Sequence, residues 1–229
     1  MEDEGEWICY DVEKRKEDSM KQAFSLFHKT KFYRSVADIK DLPKDLKSQV
    51  LLAGKSNVGK SSLINRLCQQ KNLAKTSSSA GKTRLLNFFS VVDKFYLVDL
   101  PGYGFSKGSY AQQLDFASLT DDYLHTESPI HLILHVMDAR HLPSKDDIQM
   151  MAWLEARDCP YIILLNKSDK LSRAQRDKQK RVIREHIKTK RSEMGLQEEL
   201  PEILSVSAMD GSGLNDLANL ILAKLDENP

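Results

Sequence analysis

The sequence lacks the features that mark secreted, membrane-spanning and disulfide-stabilised proteins. It has no apolar run of the roughly 18 residues that a membrane-spanning helix needs. Its three cysteines lie far apart and form no C-x-x-C pair, which argues against a disulfide framework and a zinc site. The acidic amino terminus resembles neither a secretory signal nor an arginine-rich transit peptide. From these absences we predict a cytoplasmic protein without a transmembrane segment.

Internal repeats, long low-complexity tracts and a strong net charge are also missing. The 34 basic and 33 acidic residues give a formal charge of +1, so overall charge indicates no particular class of partner. Hydrophobic residues make up 41% of the 229, which is enough for a real core. We expect one domain at 32–229, preceded by an extension at 1–31. The extension is either a helix that packs on the domain or a flexible tail that orders on a partner.

What the sequence does contain is a glycine-rich segment at 54–61 that fits the phosphate-binding spacing G-x-x-x-x-G-K-[ST]. The apolar run at 49–53 predicts a buried strand before it, and the pattern at 62–67 predicts a helix after it. Backbone N–H groups of such a loop, together with the positive end of the helix, bind phosphates. Lys60 can reach the β- and γ-phosphates, and the Ser61 hydroxyl can bind Mg²⁺. The other nucleotide-binding candidates in this segment are Gly54, Asn57, Val58, Gly59 and Ser62.

A second part of a phosphate site is predicted where an apolar strand at 94–99 ends in Asp99. A carboxylate at the end of such a strand faces the Mg²⁺ of a P-loop site. Gly102 follows at a place where its backbone N–H can meet a γ-phosphate. Another strand, at 85–92, precedes this one and joins it through a tight turn.

Predicted strands and helices alternate along the rest of the chain. Strands are predicted at 32–36, 130–137, 161–165 and 202–206, and helices at 112–124, 145–156, 170–191 and 214–225. This alternation predicts an α/β fold in which a mostly parallel sheet of six or seven strands carries helices on both faces. Ligands bind such sheets outside the carboxyl ends of the strands, where all of these motifs lie. His131 and His135 would form a metal-binding pair on a helix, but their β-rich run predicts a strand, so no metal pair is expected.

Two further motifs at strand ends resemble the guanine-recognition motifs of the Ras-like GTPase superfamily. Asn166, Lys167 and Asp169 belong to the first motif, and Ser207 and Ala208 form the second. The Asp169 carboxylate can accept hydrogen bonds from the N1–H and the exocyclic amine of guanine, whereas adenine would leave it unpaired. Asn166 can hydrogen-bond the base edge, and Lys167 can lie along the ring. The Ala208 N–H can donate to the guanine carbonyl.

Three longer segments resemble the EngB/YsxC/YihA family of ribosome-biogenesis GTP-binding proteins, which are bacterial with a mitochondrial relative. The segments are 54–65 (G-x-SNVGKSSLIN), 81–89 (GKTR-x-x-NFF) and 99–105 (DLPGYGF), and the resemblance covers about 32–226. It implies a single Ras-like GTPase domain that binds GTP or GDP with Mg²⁺ and acts on rRNA and the precursor of the large ribosomal subunit. Two departures are visible. Asn-Lys-Ser-Asp stands where many members have Thr-Lys-x-Asp, and the acidic N-terminal segment is longer than expected.

The resemblance also implies roles for single residues. Thr83, in the segment that begins at Gly81, would be the switch threonine that joins Ser61 on Mg²⁺ when GTP is bound. Asp99 would hold the ion through water, and Gly102 would sense the γ-phosphate. The residues predicted to act in catalysis are Lys60, Thr83 and Gly102.

Hydrolysis is predicted to be slow without a partner. Many GTPases place a Gln after the Asp-x-x-Gly motif to orient the attacking water, but Tyr103 stands there in this chain. We therefore expect a rate on the order of 10⁻⁴ s⁻¹. A potassium ion held by Asn57 near the phosphates is one hypothesis for acceleration, and the alternative is that Asn57 only shapes the loop. The loops at 71–83 and 100–111 would be switches that GTP orders and hydrolysis releases.

The stretch from Lys170 to Arg191 is the most basic in the chain, with ten basic residues against two acidic ones. Val182, Ile183 and Ile187 are predicted to form its buried side. Two interpretations stay open, a solvated helix face or a surface that contacts rRNA phosphates, and the absence of aromatic residues argues against base stacking there. The overall prediction is a monomeric GTP-dependent switch in large-subunit assembly. The alternative is a GTP-gated switch that acts on a protein partner or a membrane.

Overall fold

The computed structural model describes residues 24–75, 85–103, 119–196 and 199–227. Several predictions fall elsewhere and lie outside the described residues. They concern Gly81, Thr83, most of the extension at 1–31 and parts of both predicted switch loops. The division of the chain at residue 31 therefore stays a prediction.

Within the described ranges, seven strands form a single sheet in the order β1-β3-β4-β2-β5-β6-β7. Their bounds are β1 Lys31–Val36, β2 Gln49–Gly54, β3 Leu86–Val91, β4 Phe95–Asp99, β5 Ile130–Asp138, β6 Tyr161–Asn166 and β7 Ile203–Ser205. β1 pairs antiparallel with β3, and β3 with β4, while every other pair is parallel. This arrangement confirms the predicted mostly parallel sheet and places the predicted short strand after residue 31 at its edge.

Helices cover both faces of the sheet, as predicted. The four helices with complete bounds are α1 Lys60–Leu67, α2 Lys145–Glu155, α3 Arg173–Glu193 and α4 Leu214–Glu227. Residues 24–27 and 119–124 are also helical. α1 and α4 pack on one face together with 24–27, whereas α2, α3 and 119–124 pack on the other.

The alternation of side chains along β2 explains why both faces are covered. Val50 and Leu52 belong to the core under α1 and α4, and Leu51 and Ala53 belong to the core on the opposite face. All six residues of β2 are buried. A central parallel strand is apolar on both sides because helices cover it on both sides.

The described residues of the predicted extension contribute to this core. Phe27 is fully buried, and its ring lies edge-on to Phe95 with 5.9 Å between the centroids. Thr30 is also buried, and its hydroxyl donates to the Phe27 carbonyl oxygen. This part of the chain therefore packs on the domain.

Side-chain caps fix where α2 and α3 begin. Ser144 and Asp147 form a reciprocal capping box at the start of α2, and Ser172 and Gln175 form another at the start of α3. The second cap explains why the predicted helix at 170–191 begins only at residue 173, after a short 3₁₀ turn. None of the helices among the described residues is long and apolar enough to cross a membrane.

Candidate nucleotide-binding site

The predicted motifs meet at the carboxyl edge of the parallel strands. The P-loop follows β2, Asp99 ends β4, and Asn166 ends β6. Ser207 and Ala208 follow β7 by two and three residues. In the part of the chain that the structure describes, every predicted site residue therefore lies along one edge of the sheet. Gly81 and Thr83 are the two candidates that the described ranges do not include.

Two glycines of the P-loop stand where no side chain fits. Gly54 has φ +153, and a Cβ built on it would lie 2.4 Å from the Val136 carbonyl oxygen. Gly59 has φ +102, and its Cβ would lie 2.5 Å from Asn166 Nδ2. Gly59 also gives α1 no side-chain cap, so the N–H groups of the first helical turn face the loop without a capping partner. A loop of this form binds phosphate through its backbone.

Lys60 crosses the P-loop from its position at the start of α1. Its ammonium donates to the carbonyl oxygens of Gly54 at 3.0 Å and Lys55 at 3.4 Å. Burial lowers the pKa of Lys60, and the nearby charge of Asp99 acts in the opposite direction. A desolvated ammonium whose partners within the described residues are carbonyl oxygens is a strong site for a phosphate oxygen.

Ser61 and Asp99 form the predicted metal-binding pair. The Ser61 hydroxyl donates to Asp99 Oδ2 at 2.6 Å. Asp99 is buried, and its Oδ1 has no hydrogen-bond partner within the described residues. Burial raises the pKa of this carboxyl, and the Lys60 charge and the Ser61 hydrogen bond oppose that rise. A buried carboxylate oxygen without a partner, next to a serine hydroxyl, fits an Mg²⁺ ion well because Mg²⁺ prefers oxygen ligands.

Gly102 lies against the P-loop, as a residue that senses the γ-phosphate would. A Cβ on Gly102 would lie 2.6 Å from Ser56 Oγ, so this position also has room only for glycine. The Ser56 N–H donates to the carbonyl oxygen of Tyr103 at 3.1 Å, and Lys55 and Tyr103 form a parallel bridge. The segment after β4 is thus joined directly to the phosphate loop.

Asn166 connects two loops of the site. Its Nδ2 donates to the Val58 carbonyl oxygen at 2.9 Å, and its Oδ1 accepts from the Ala208 N–H at 3.2 Å. Sequence reasoning predicted that Asn166 would contact the base edge and that Ala208 would donate to guanine. The structure shows the two residues hydrogen-bonded to each other. Asn166 thereby holds the P-loop beside the loop at 207–208.

Asp169 is presented as a carboxylate at the end of this edge. The Ser207 hydroxyl donates to Asp169 Oδ1 at 2.8 Å, and the Lys170 ammonium lies 3.4 Å from Oδ2. Burial opposes ionisation, but the Ser207 and Lys170 interactions outweigh it, so the pKa of Asp169 lies below its ordinary value. An ionised carboxylate accepts two hydrogen bonds, which is what recognition of guanine requires.

Lys167 has a partner that sequence reasoning missed. Its ammonium donates to the Asn57 carbonyl oxygen at 2.9 Å and forms a 3.0 Å ion pair with Asp138. The Arg140 guanidinium also binds Asp138, through two hydrogen bonds of 2.9 and 2.7 Å. Burial alone would raise the pKa of Asp138, but the Arg140 and Lys167 hydrogen bonds hold it well below the usual range. The sequence signal that could have identified Asp138 is its position at the end of an apolar strand, the same pattern as that of Asp99.

The predicted basic helix is α3, and the structure corrects two expectations about it. Ile183 and Ile187 are buried as predicted, but Val182 is 43% exposed because it lies about 100° around the helix from Ile183. Arg191 is buried and hydrogen-bonds Glu155 and Tyr161, so it does not belong to the exposed basic face. The exposed basic residues used below are Arg173, Arg181 and Arg184.

The sheet order, with the P-loop after β2 and with Asp99 and Asp169 along the same edge, is that of a P-loop GTPase. Residues 49–167 match the family model described as a 50S ribosome-binding GTPase. The probable GTP-binding protein EngB of Leuconostoc mesenteroides is 43% identical over 160 residues, which are 70% of this chain and 82% of that protein. The chain therefore belongs to the EngB family of GTP-binding proteins.

Solved structures share this fold. The crystal structure of a probable GTP-binding protein EngB matches with a TM-score of 0.60 and 22% identity, covering 79% of this chain and 100% of that one. Era in complex with MgGDPNP and nucleotides 1506–1542 of 16S ribosomal RNA matches with a TM-score of 0.59 and 27% identity. That match covers 79% of this chain and 57% of Era.

Proposed function

We propose that this GTPase is a nucleotide-dependent switch in assembly of the large ribosomal subunit. The observation that carries the proposal is the joint placement of Lys60, Asp99 and Asp169 on one sheet edge, within or next to the segment that matches a 50S ribosome-binding GTPase. The first two residues suit a phosphate chain with its metal ion, and the third suits a guanine base.

Mg²⁺ is the metal ion of this proposal, and its ligands would be Ser61 and Thr83, with Asp99 acting through water. The Ser61 hydroxyl supports the assignment of the first ligand, and the Oδ1 of the buried Asp99, which has no partner among the residues that the structure describes, supports the last. When bound, the ion would neutralise negative charge on the β- and γ-phosphates. Era was solved with MgGDPNP, which supports the same ion in a related fold.

The reaction proposed for this site is attack of water on the γ-phosphorus in line with the leaving oxygen of GDP. The bond from the γ-phosphorus to the β–γ bridging oxygen breaks, and GDP and inorganic phosphate are released. Lys60 and the Gly102 N–H stabilise the charge on the transferred group. Tyr103 supplies no water-orienting amide, and its hydroxyl is directed into the protein toward His135 and Asp147, which supports a slow unassisted rate.

The exposed face of α3 is the proposed contact with rRNA. Arg173, Arg181 and Arg184 are exposed, and no ion pair for them is found in the part of the chain that the structure describes. Guanidinium groups of this kind release counterions when they bind phosphates, which makes such binding sensitive to salt. The 16S rRNA segment in the Era complex supports an RNA partner for a related GTPase.

The test is sedimentation with purified large-subunit precursor particles in the presence of Mg²⁺ with GDP or with GDPNP. The proposal predicts tighter binding with GDPNP. The logarithm of the binding constant should fall linearly with the logarithm of the salt concentration. Replacing Arg173, Arg181 and Arg184 by Gln should reduce the magnitude of this salt slope by about 0.7–0.9 for each phosphate that the protein no longer binds. Replacement of Lys40, Lys44 and Lys224 by Gln changes the net charge equally on other surfaces and should leave the slope unchanged. Binding confined to lipid vesicles or to a single protein, with none to the particles, would favour the alternative switch.

A further inference from the structure

Three polar side chains form a mostly buried cluster beside the nucleotide site, and the proposed reaction uses none of them. The Tyr103 hydroxyl lies 2.5 Å from His135 Nε2 and donates to Asp147 Oδ1 at 2.8 Å. His135 is fully buried in β5, and Asp147 is buried in the first turn of α2. Tyr103 directly follows Gly102. These two hydrogen bonds replace the water that the polar groups lose on burial, and they hold the phenol hydroxyl between His135 and Asp147.

The hydrogen bonds of the cluster have a single direction. His135 Nδ1 is buried without a partner among the described residues, and an unpaired acceptor is tolerated more often than an unpaired N–H. His135 Nε2 is therefore assigned the proton and donates to Tyr103, which in turn donates to Asp147. Burial lowers the pKa of His135 to about 4, against the opposing charge of Asp147, so the ring is neutral. Burial, together with the Asp147 charge, raises the pKa of Tyr103, so the phenol keeps its proton.

Asp147, the member of the cluster farthest from Gly102 along the hydrogen-bond chain, is held by the capping box of α2. Asp147 Oδ2 accepts from the Ser144 N–H at 2.8 Å and from the Ser144 hydroxyl at 2.6 Å. Both carboxylate oxygens of Asp147 are thus occupied. Lys55 of the P-loop reaches the same place, where its ammonium donates to Ser144 Oγ at 2.9 Å and pairs with Asp146 at 3.2 Å. The start of α2 therefore contacts both the P-loop, through Lys55, and the segment after β4, through Tyr103.

Tyr103, the member of the cluster nearest the nucleotide site, helps to fix the backbone of Gly102. Asp99 holds one side of this short segment at the end of β4, and Tyr103 holds the other side through its half-buried side chain, which hydrogen-bonds His135 and Asp147. Between them, Ser56 donates two hydrogen bonds, from its N–H to the Tyr103 carbonyl oxygen at 3.1 Å and from its hydroxyl to the Gly102 carbonyl oxygen at 3.4 Å. We propose that Tyr103 is a positioning residue whose side chain, locked by His135 and Asp147, holds the Gly102 N–H where it meets the γ-phosphate.

This inference rests on the proposed role of Gly102 and makes a selective prediction. GDP has no γ-phosphate, so it gains nothing from a positioned Gly102. GTP and its analogues depend on that N–H. Loss of the Tyr103 hydroxyl should therefore weaken binding of the triphosphate only, whereas a general structural defect would weaken binding of both nucleotides.

The experiment measures GDP and GDPNP affinities by calorimetry in Mg²⁺ for wild type, Tyr103→Phe and Gly102→Ala. We expect Tyr103→Phe to weaken GDPNP binding about fivefold, which is the effect of losing the one hydrogen bond from the Gly102 N–H to the γ-phosphate. The affinity for GDP should stay within about twofold of the wild-type value. Tyr161→Phe is the matched control, because Tyr161 also donates from a partly buried phenol to a carboxylate, Glu155, but lies at the other end of the sheet. It should leave both affinities unchanged.

A second pair of variants tests whether the cluster acts as a unit. His135→Asn removes the Nε2 donor, and its effect on the GDPNP-to-GDP affinity ratio should not add to that of Tyr103→Phe. Equal weakening of both nucleotides by Tyr103→Phe, an unchanged ratio or tighter GDPNP binding would each overturn the inference. If Gly102→Ala also leaves the ratio unchanged, the proposed role of Gly102 fails as well. If Gly102→Ala is selective and Tyr103→Phe is not, only the inference about Tyr103 fails.

Discussion

Acidification should destabilise the folded chain through His135. Burial lowers the pKa of this histidine from 6.5 to about 4 in the folded state, whereas the unfolded chain keeps the ordinary value. The unfolded state therefore binds the proton first. The stabilising contribution of neutral His135 is fully present above pH 6.5 and is lost as pH falls toward 4. At about 1.4 kcal/mol per pKa unit, the whole contribution is roughly 3 kcal/mol, of which about 2 kcal/mol disappears between pH 7 and pH 5.

The assay is urea denaturation of wild type and His135→Asn at both pH values, without nucleotide, because a bound ligand would itself shift stability. The difference between the two proteins in free energy of unfolding should shrink by about 2 kcal/mol at pH 5. Subtraction removes the effects of other titrating groups that both proteins share. His131→Asn is the control, because His131 lies near the start of β5 and is only partly buried. A difference that is the same at both pH values would refute the buried, neutral state of His135.

Three further predictions concern other parts of the domain. Phe27→Ala should lower the free energy of unfolding by about 3–5 kcal/mol, since Phe27 is fully buried in the core; an unchanged urea midpoint would show that residues 24–27 do not pack as described. Asp138→Asn should release Lys167 and raise the dissociation rates of fluorescent GDP and GTP about fivefold and to the same extent, and an effect on one nucleotide only would contradict this. The potassium hypothesis for Asn57 predicts faster hydrolysis in potassium than in sodium chloride, and a loss of this difference in Asn57→Gly, which keeps the φ of +62 accessible. Equal rates of the wild type in the two salts would exclude a potassium role for Asn57.

Most of the fold followed from local patterns in the sequence. The buried run before the P-loop, the apolar strand ending in Asp99 and the run before Asn166 each predicted a parallel strand with a functional residue at its carboxyl end. Parallel strands bring such residues to one edge whatever their order in the sheet, so the site could be predicted without the strand order. This is why the candidates within the described residues lie together.

The parts that could not be predicted depend on contacts between distant residues. Nothing in the sequence pairs Tyr103 with His135 and Asp147, because these residues come from a loop, a strand and a helix. The sequence placed Arg191 in the exposed basic face of α3, but it is buried and its guanidinium hydrogen-bonds Glu155 and Tyr161. Periodicity finds the apolar side of an element, whereas polar partners across elements are set by tertiary packing.

Guanine selectivity tests the central claim most directly. Binding of GDP, GTP, ADP and ATP should be measured by calorimetry for wild type, Asp169→Asn and the control Asp216→Asn on the surface of α4. The account predicts that wild type and Asp216→Asn bind only guanine nucleotides, and that Asp169→Asn loses this preference while the P-loop still binds phosphates. Adenine nucleotides that bind the wild type as tightly as guanine nucleotides would contradict the assignment of Asp169 and leave a P-loop site without base selectivity.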